Sequence, residues 1–214
     1  MMPPDPDRGP GSSAEASDAD ADAGPPVVLP AILVVCRGNI CRSPMTVALV
    51  EAEARRRGLE VRASSAGFWV DGEPASGAAV RVMAERGLDI SDHRSRVVTP
   101  ELVRSHELVV AVERELARRV VTLVDEPDTV TRVHTLGGLV AGLEALDDAT
   151  RRRTAGDPTA RAAAVARRRP TADLLGQGPD EVPDPHGRSL AVHRRTAERL
   201  AALAAGLIEG LTRP

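Results

Sequence analysis

The hydrophobic positions of this chain fall into short continuous runs that are separated by stretches with helical periodicity. The run Ala31–Cys36 is apolar at consecutive positions and rich in β-branched residues, which predicts a strand buried on both faces of a parallel sheet. Further strands are predicted at about Glu60–Ser65, Glu107–Val112 and Thr131–Leu136. Strands that alternate with helices predict an α/β fold with a doubly wound, four-stranded parallel sheet and helices on both faces.

Helices are predicted between these strands from their start and stop signals. Ser43-Pro44 places a hydroxyl N-cap before a proline at the first helical position, and this helix is expected to continue to Arg57, before Gly58. Other helices are expected over Gly77–Arg86, from Thr99, over Arg114–Val121 and up to about Leu146. A long amphipathic helix is expected to close the domain, with apolar residues at Leu200, Leu203, Ala204, Leu207, Ile208 and Leu211.

Two segments do not follow this alternation. Residues 1–30 carry six acids against one base, Arg8, together with seven of the 17 prolines. We therefore expect a disordered acidic tail rich in proline and alanine, followed by a single domain over residues 31–214. Residues 147–178 are rich in arginine and alanine with weak periodicity, which indicates a partly helical insertion within that domain.

Composition excludes several classes of protein. The 28 basic residues are all arginine and are outnumbered by 31 acids, so the net charge of −3 argues against a nucleic-acid partner. Without lysine or tyrosine, the chain cannot contain a Walker-type phosphate loop or a Schiff-base lysine. Two cysteines cannot build a disulfide framework, and no apolar run approaches the roughly 18 residues of a membrane span. We expect a cytoplasmic protein without a membrane partner; the oligomeric state stays open.

The stretch after the first predicted strand has the residues of a nucleophilic centre. Cys36 stands at the carboxyl end of that strand, where α/β sheets bind ligands, and Arg42 follows six positions later, directly before a helix. The intervening loop can wrap its backbone N–H groups around a tetrahedral oxyanion, and Arg42 offers a planar fork for two of its oxygens. This positive surround favours the thiolate of Cys36 as a nucleophile. The residues expected to bind the oxyanion are Arg37, Gly38, Asn39, Ile40, Cys41, Arg42 and Ser43.

This stretch resembles the signature of the low-molecular-weight protein tyrosine phosphatase family, V-C-x-G-N-x-C-R-S-P, at every fixed position. The resemblance extends over about residues 31–136 and 181–213. It is carried further by three segments: Ser65-Ala66-Gly67, the segment from Gly87 through His93 to Arg96, and Asp184-Pro185 before the last helix. The resemblance implies a phosphate monoester hydrolase that acts on a phosphotyrosine protein or a small aryl phosphate. It also implies a phosphocysteine intermediate and no cofactor.

The resemblance also assigns roles to individual residues. Cys36 is implied as the nucleophile, and Asp184 as the acid that protonates the leaving oxygen and then activates water. Beneath the loop, the family's hydrogen-bonded support falls on Asn39, Ser43, Ser65 and His93. For Cys41 two readings stay open: a small packing residue, or a partner that traps oxidised Cys36 as a reversible disulfide.

Asp157-Pro158 is a second Asp-Pro dipeptide and therefore a competitor for the acid. Asp184 is preferred because it directly precedes the amphipathic C-terminal helix, whereas Asp157 lies in the insertion, where such dipeptides form ordinary turns. No metal site is expected, because His106, His134 and His193 have no partners at ligand spacing.

Two positions bear on the substrate. His186 follows Asp184-Pro185 where the family has an aromatic residue, so Trp69, with Phe68, is expected to supply the hydrophobic wall. Ile40 stands where phosphoarginine-directed relatives have threonine, which favours an aryl phosphate. Two alternatives remain open: an arsenate reductase that uses an external thiol such as mycothiol, and a phosphate-binding module without catalysis.

Overall fold

The computed structural model describes residues 28–169 and 181–213, and the part of the predicted tail before Val28 lies outside these ranges. Four strands form one sheet in the order β2-β1-β3-β4, and every neighbouring pair is parallel. This confirms the predicted four-stranded parallel α/β fold. The strands are β1 (Ile32–Val35), β2 (Ala63–Ala66), β3 (Leu108–Ala111) and β4 (Val133–Thr135).

The register aligns the carboxyl ends of the strands. Val35 at the end of β1 pairs with Ala66 of β2 and with Ala111 of β3. All four residues of β1 and of β3 are buried, because each strand has a neighbour on both sides and both faces of the sheet are covered. The loops that leave β1, β2 and β3 therefore emerge along one edge of the sheet.

Nine helices lie within the described ranges. They are α1 (Arg42–Arg56), α2 (Gly77–Ala84), α3 (Pro100–Arg104), α4 (Arg114–Val124), α5 (Thr129–Arg132), α6 (Leu136–Glu144), α7 (Asp148–Arg153), α8 (Pro158–Arg168) and α9 (Leu190–Thr212). Helix α9 packs along α1 and also contacts α6 and α2. Because parallel crossovers are right-handed, α1, which leads to β2, and α4, which leads to β4, cover opposite faces. No helix in the described ranges is long and apolar enough to cross a membrane.

The predicted start of α1 at a Ser43 cap is wrong. The helix begins at Arg42, and its N-cap residue, Cys41, makes no side-chain capping bond. The Ser43 hydroxyl instead accepts a hydrogen bond from Asn39 Nδ2, which lies 2.8 Å away in the loop before the helix. The end of the helix matches the prediction, because Gly58 follows with a φ of +70°.

All four strands are shorter than predicted, β1 and β3 by one residue at each end and β2 and β4 mainly at their amino ends. Strand β2 begins at Ala63 because β1, the strand that it pairs with in the described sheet, begins at Ile32, which pairs with Ala63. Strand β4 has three residues because it pairs only with the end of β3, and the residues before it form the helical turn α5. The start of the neighbouring strand thus sets the start of β2, and the end of α5 sets the start of β4.

The described part of the arginine- and alanine-rich segment is helical. Helix α8 contacts α5, α6 and α9, and Arg161 on it is buried. Its guanidinium donates to carbonyl oxygens, including Arg151 O at 3.1 Å in α7 and Arg213 O after α9. These bonds connect α8 to the last turn of α7 and to the residue after α9. Residues 170–178 of the predicted insertion lie outside the described ranges.

Candidate active site

The loop between β1 and α1 surrounds the sulfur of Cys36. Cys36 Sγ lies 3.0 Å from Ser43 Oγ, and the backbone N–H of Asn39 donates to the same sulfur at 3.2 Å. Cys36 itself is buried at the base of the loop. The sulfur is thus held at the base of the loop by its contacts with Ser43 and Asn39.

Asn39 holds the loop from beneath. Its side-chain Nδ2 donates to Ser43 Oγ and to Ser65 Oγ, both at 2.8 Å, and its Oδ1 accepts the backbone N–H of Arg96 at 2.9 Å. Its backbone has a φ of +54°, a left-handed conformation that asparagine tolerates better than most residues. One buried side chain therefore ties α1, the end of β2 and the segment around Arg96 to the loop.

His93 completes this support. Its Nε2 lies 2.6 Å from the carbonyl oxygen of Asn39, so Nε2 carries the proton that is donated. Burial lowers the pKa of His93, and the bond to Asn39 opposes that shift. The structure thus brings together Asn39, Ser43, Ser65 and His93, the four residues expected to support the loop.

Arg42 is fixed along one side of its guanidinium. It is only 1% exposed; its Nη1 donates to the Glu113 carboxylate and to the carbonyl oxygen of Val182 at 2.9 Å. Its Nη2 lies 2.8 Å from Asp184 Oδ2. Its Nε is buried and has no hydrogen-bond partner among the described residues. The guanidinium is therefore oriented by Glu113 and Val182 while Nε remains available to an anion.

A cavity of about 420 Å³ opens above the loop. Its lining brings together the predicted nucleophile, the predicted cation and the predicted acid: Cys36, Arg42 and Asp184. The other lining residues are Arg37, Gly38, Ile40, Cys41, Trp69, Val70, His186 and Arg188. Asn39 and Ser43 do not line the cavity; they act from below the loop through the hydrogen bonds given above.

The two aromatic rings occupy different environments. Trp69 is 54% exposed and lines the cavity, and the Arg37 guanidinium carbon lies 4.6 Å from its ring centroid. Phe68 packs partly against the core, with the Arg119 guanidinium carbon 4.2 Å from its ring centroid. Trp69 is therefore the aromatic wall of the cavity, and Phe68 is not part of it.

The two Asp-Pro dipeptides lie in different parts of the structure and make different contacts. Asp184 lines the cavity beside Arg42, and its Oδ1 accepts the backbone N–H of His186 at 3.1 Å. Asp157 caps α8, where its Oδ1 accepts the backbone N–H of Ala160 at 2.9 Å. Asp157 is absent from the lining of the cavity.

Comparison with known proteins identifies the relatives of this chain. The family model of the low molecular weight phosphotyrosine protein phosphatases matches residues 31–156, which is more than half of the chain. The chain belongs to this phosphatase family. The match begins at the residue before β1 and includes the loop, β2, β3 and β4.

Individual phosphatases of the family are similar over shorter stretches. A probable low molecular weight protein-tyrosine-phosphatase of Ralstonia solanacearum is 42% identical over 96 residues, which cover 43% of this chain and 64% of that protein. A protein-arginine-phosphatase of Bacillus subtilis is 39% identical over 85 residues, which cover 39% of this chain and 56% of that protein. The chain thus matches somewhat less than two thirds of the length of these relatives.

A solved structure extends the likeness to most of the chain. The low molecular weight protein tyrosine phosphatase from T. tengcongensis superposes with a TM-score of 0.62 at 30% identity. The superposition covers 83% of this chain and 97% of that phosphatase. The α/β architecture described above is therefore the fold of this phosphatase family.

Five lining or orienting groups were not predicted from the sequence: Glu113, the Val182 carbonyl, Val70, His186 as a cavity residue, and Arg188. Glu113 follows the buried run of β3, so its place at the carboxyl end of a strand was a usable signal. The Val182 carbonyl has no signal in the sequence, because any residue has a carbonyl. Its contact with Arg42 joins residues 140 positions apart and depends on how the two segments pack.

Cys41 is chemically unlike Cys36. Its Sγ lies 2.9 Å from Ser76 Oγ, and burial raises the pKa of its thiol to about 11. Both cysteines are free, and both line the cavity. Among the described residues no group of three or more His, Cys, Asp or Glu side chains is placed to hold a metal ion. Both readings of Cys41, a packing residue and a partner for oxidised Cys36, stay open.

Proposed function

We propose that this phosphatase-family chain hydrolyses phosphotyrosine in proteins, or a small aryl phosphate, through a cysteinyl-phosphate intermediate. The observation that carries the proposal is the convergence of Cys36, Arg42 and Asp184 on one cavity. These groups provide a nucleophile, an anion-binding guanidinium and a proton donor, which phosphoryl transfer from an ester requires. The proposal sets the reaction in a reducing cytoplasm, where a nucleophilic thiol persists.

In the first step the Cys36 sulfur attacks phosphorus. The S–P bond forms and the bond from phosphorus to the phenolic oxygen breaks, while Asp184 gives its proton to that oxygen. Backbone N–H groups of the loop and the Nε of Arg42 stabilise the charge on the remaining phosphoryl oxygens. Because Glu113 and Val182 already fix the guanidinium, little reorganisation is needed at the moment of reaction.

In the second step Asp184, now a carboxylate, accepts a proton from water. The water oxygen bonds to phosphorus, the S–P bond breaks, and inorganic phosphate leaves with the Cys36 thiolate restored. Ser43 Oγ, 3.0 Å from the sulfur, is placed to stabilise that leaving thiolate. Cys36 and Asp184 thus serve both steps: the sulfur first attacks and then leaves, and the carboxyl group first donates a proton and then accepts one.

The lining favours an aromatic leaving group. Trp69, Ile40 and Val70 present apolar surface to the cavity, against which a phenyl ring can pack. A relative named as a protein-arginine-phosphatase makes phosphoarginine the second candidate substrate. The phosphorylated guanidinium of phosphoarginine lacks the aromatic ring that the apolar lining would contact.

One assay compares these chemistries directly. Purified protein with EDTA is given a phosphotyrosine peptide, the matching phosphoarginine peptide, and arsenate coupled to an external thiol. We expect the highest kcat/KM for phosphotyrosine, and rapid quenching with mass spectrometry should find phosphate on Cys36.

Cys36→Ser should abolish turnover and leave the thermal unfolding midpoint close to that of the wild type, since it changes little volume. Residual activity within about tenfold of the wild type would refute the covalent route. Arsenate turnover without phosphatase activity would overturn the proposed function.

A further inference from the structure

The charged side chains around the cavity differ in how many ion pairs, hydrogen bonds and ring contacts they form. Arg42 pairs with Glu113 and Asp184. Arg37 is shared between Glu113, 3.5 Å away, and the face of Trp69. Arg188 lines the cavity but forms no ion pair and no side-chain hydrogen bond with any residue in the described ranges. It is a cation that neither the loop nor the proposed hydrolysis uses.

A tight turn fixes the place of Arg188. Its backbone N–H donates to Pro185 O at 2.9 Å, and Gly187 has a φ of +71° that lets the chain reverse. Helix α9 begins two residues later, at Leu190. The turn therefore holds Arg188 at a constant position relative to Asp184, four residues earlier, while its exposed side chain remains in solvent at the cavity.

We propose that Arg188 forms a subsite for a carboxylate that lies next to the phosphorylated residue of the substrate. This inference rests on the proposed phosphotyrosine hydrolysis. When the ring of a phosphotyrosine contacts Trp69 and its phosphate occupies the loop, the neighbouring residues of the peptide lie at the mouth of the cavity. The Arg188 guanidinium, which pairs with none of the described residues, matches a carboxylate in charge and in bidentate geometry. The favoured substrate is a phosphotyrosine segment with an aspartate or glutamate beside the phosphorylated residue.

The expected selectivity is modest, because Arg188 is exposed to solvent. Exposed ion pairs typically change an equilibrium by about twofold to fivefold, and we expect that range for kcat/KM at low ionic strength. Salt should reduce the preference, since the screening length falls from about 30 Å at 0.01 M to about 3 Å at 1 M. A preference that is independent of salt would therefore not come from this charge.

The test compares two phosphotyrosine peptides that differ only in flanking glutamate or glutamine. The ratio of kcat/KM for the acidic over the neutral peptide is measured for the wild type and for Arg188→Gln. We expect a ratio of about 2 to 5 in the wild type and a ratio close to 1 in the variant. The matched control is Arg62→Gln, which removes the same charge from an exposed residue just before β2, at the opposite edge of the sheet. This control should keep the wild-type ratio.

Peptide binding to Cys36→Ser protein separates the two claims. If the wild type hydrolyses both peptides equally, or if Arg188→Gln keeps the full preference, the subsite is refuted and the phosphatase proposal stands. If neither peptide is hydrolysed but the acidic one binds more tightly, and the double variant with Arg188→Gln loses that difference, the subsite stands and the phosphatase proposal fails. Absence of both hydrolysis and selective binding overturns both.

Discussion

Gly67 lies where the end of β2 meets the loop between β1 and α1, and it offers a direct test of how that loop is held. A Cβ at Gly67 would lie 2.8 Å from both the carbonyl oxygen of Arg37 and the backbone nitrogen of Asn39. Both atoms belong to the loop backbone, so no side-chain rotation can relieve the contact. On the other side, the N–H of Gly67 donates to Arg96 O at 2.9 Å, and its own carbonyl oxygen accepts from Val98 at 2.7 Å. These bonds oppose retreat of β2, so Gly67→Ala should displace the loop.

The size of the effect follows from these distances. Ordinary contact begins at 3.4 Å, so the loop must move by about 0.6 Å. A misplacement of about 1 Å in a reacting group costs about 10²-fold in rate, and we expect kcat/KM for an aryl phosphate to fall by about 10-fold to 100-fold. Overpacking of this kind also destabilises by roughly 1–3 kcal/mol.

The matched control is Gly77→Ala, at the first residue of α2. Its added Cβ would meet no atom within 4 Å, so it should leave kcat/KM unchanged and raise stability slightly. Steady-state hydrolysis and urea unfolding of both variants provide the two readouts. Wild-type kcat/KM in Gly67→Ala would refute the reasoning that this close approach positions the loop. A loss of stability alone would mean that β2, and not the loop, absorbs the strain.

Two further predictions follow from single side chains. Asp184→Asn should slow hydrolysis of a substrate with a poor leaving group by about 10²–10⁴ and affect an activated one much less, because only the former needs a proton. Asp157→Asn, which preserves the cap of α8, should alter neither rate; the reverse pattern in single-turnover measurements would assign the acid to α8. Burial, reinforced by Arg169, lowers the pKa of His134 from 6.5 to about 3. Its folded-state pKa is below its unfolded value, so the stability it provides is present above pH 6.5 and is lost as the pH falls towards 3. Wild-type protein should lose about 2 kcal/mol from this group between pH 7 and pH 5. His134→Gln should flatten that part of the urea-unfolding profile, and an unchanged slope would contradict the assignment.

The stretch from Ala31 to Arg57 could be read almost completely from the sequence. Its apolar run, the cysteine and arginine six positions apart, and the following helix are all contiguous, so local propensity and burial pattern act on the same residues. The structure confirms the strand, the loop and the end of the helix at Gly58. The exception is Ser43, whose hydroxyl bonds to Asn39 instead of capping the helix.

The support beneath the loop needed more than local pattern. Ser65 and His93 were reached through resemblance to a family, since neither has a sequence neighbour that explains it. In the structure, their contacts with Asn39 join residues 26 and 54 positions apart. Such contacts form only after the end of β2 and the segment around His93 have packed against the loop.

The orientation of Arg42 and the pairing of the charges around it depend on long-range packing. Glu113, the Val182 carbonyl and Asp184 reach Arg42 from two segments that lie far along the chain, after β3 and before α9. Which residues can act as a nucleophile or as an anion-binding cation follows from residue type alone, because that chemistry belongs to the side chains. That Arg188 has no ion pair with the described residues while Arg37 and Arg42 do depends on distances between separate loops. Those distances are set by the packing of the whole sheet and its helices, and no local pattern encodes them.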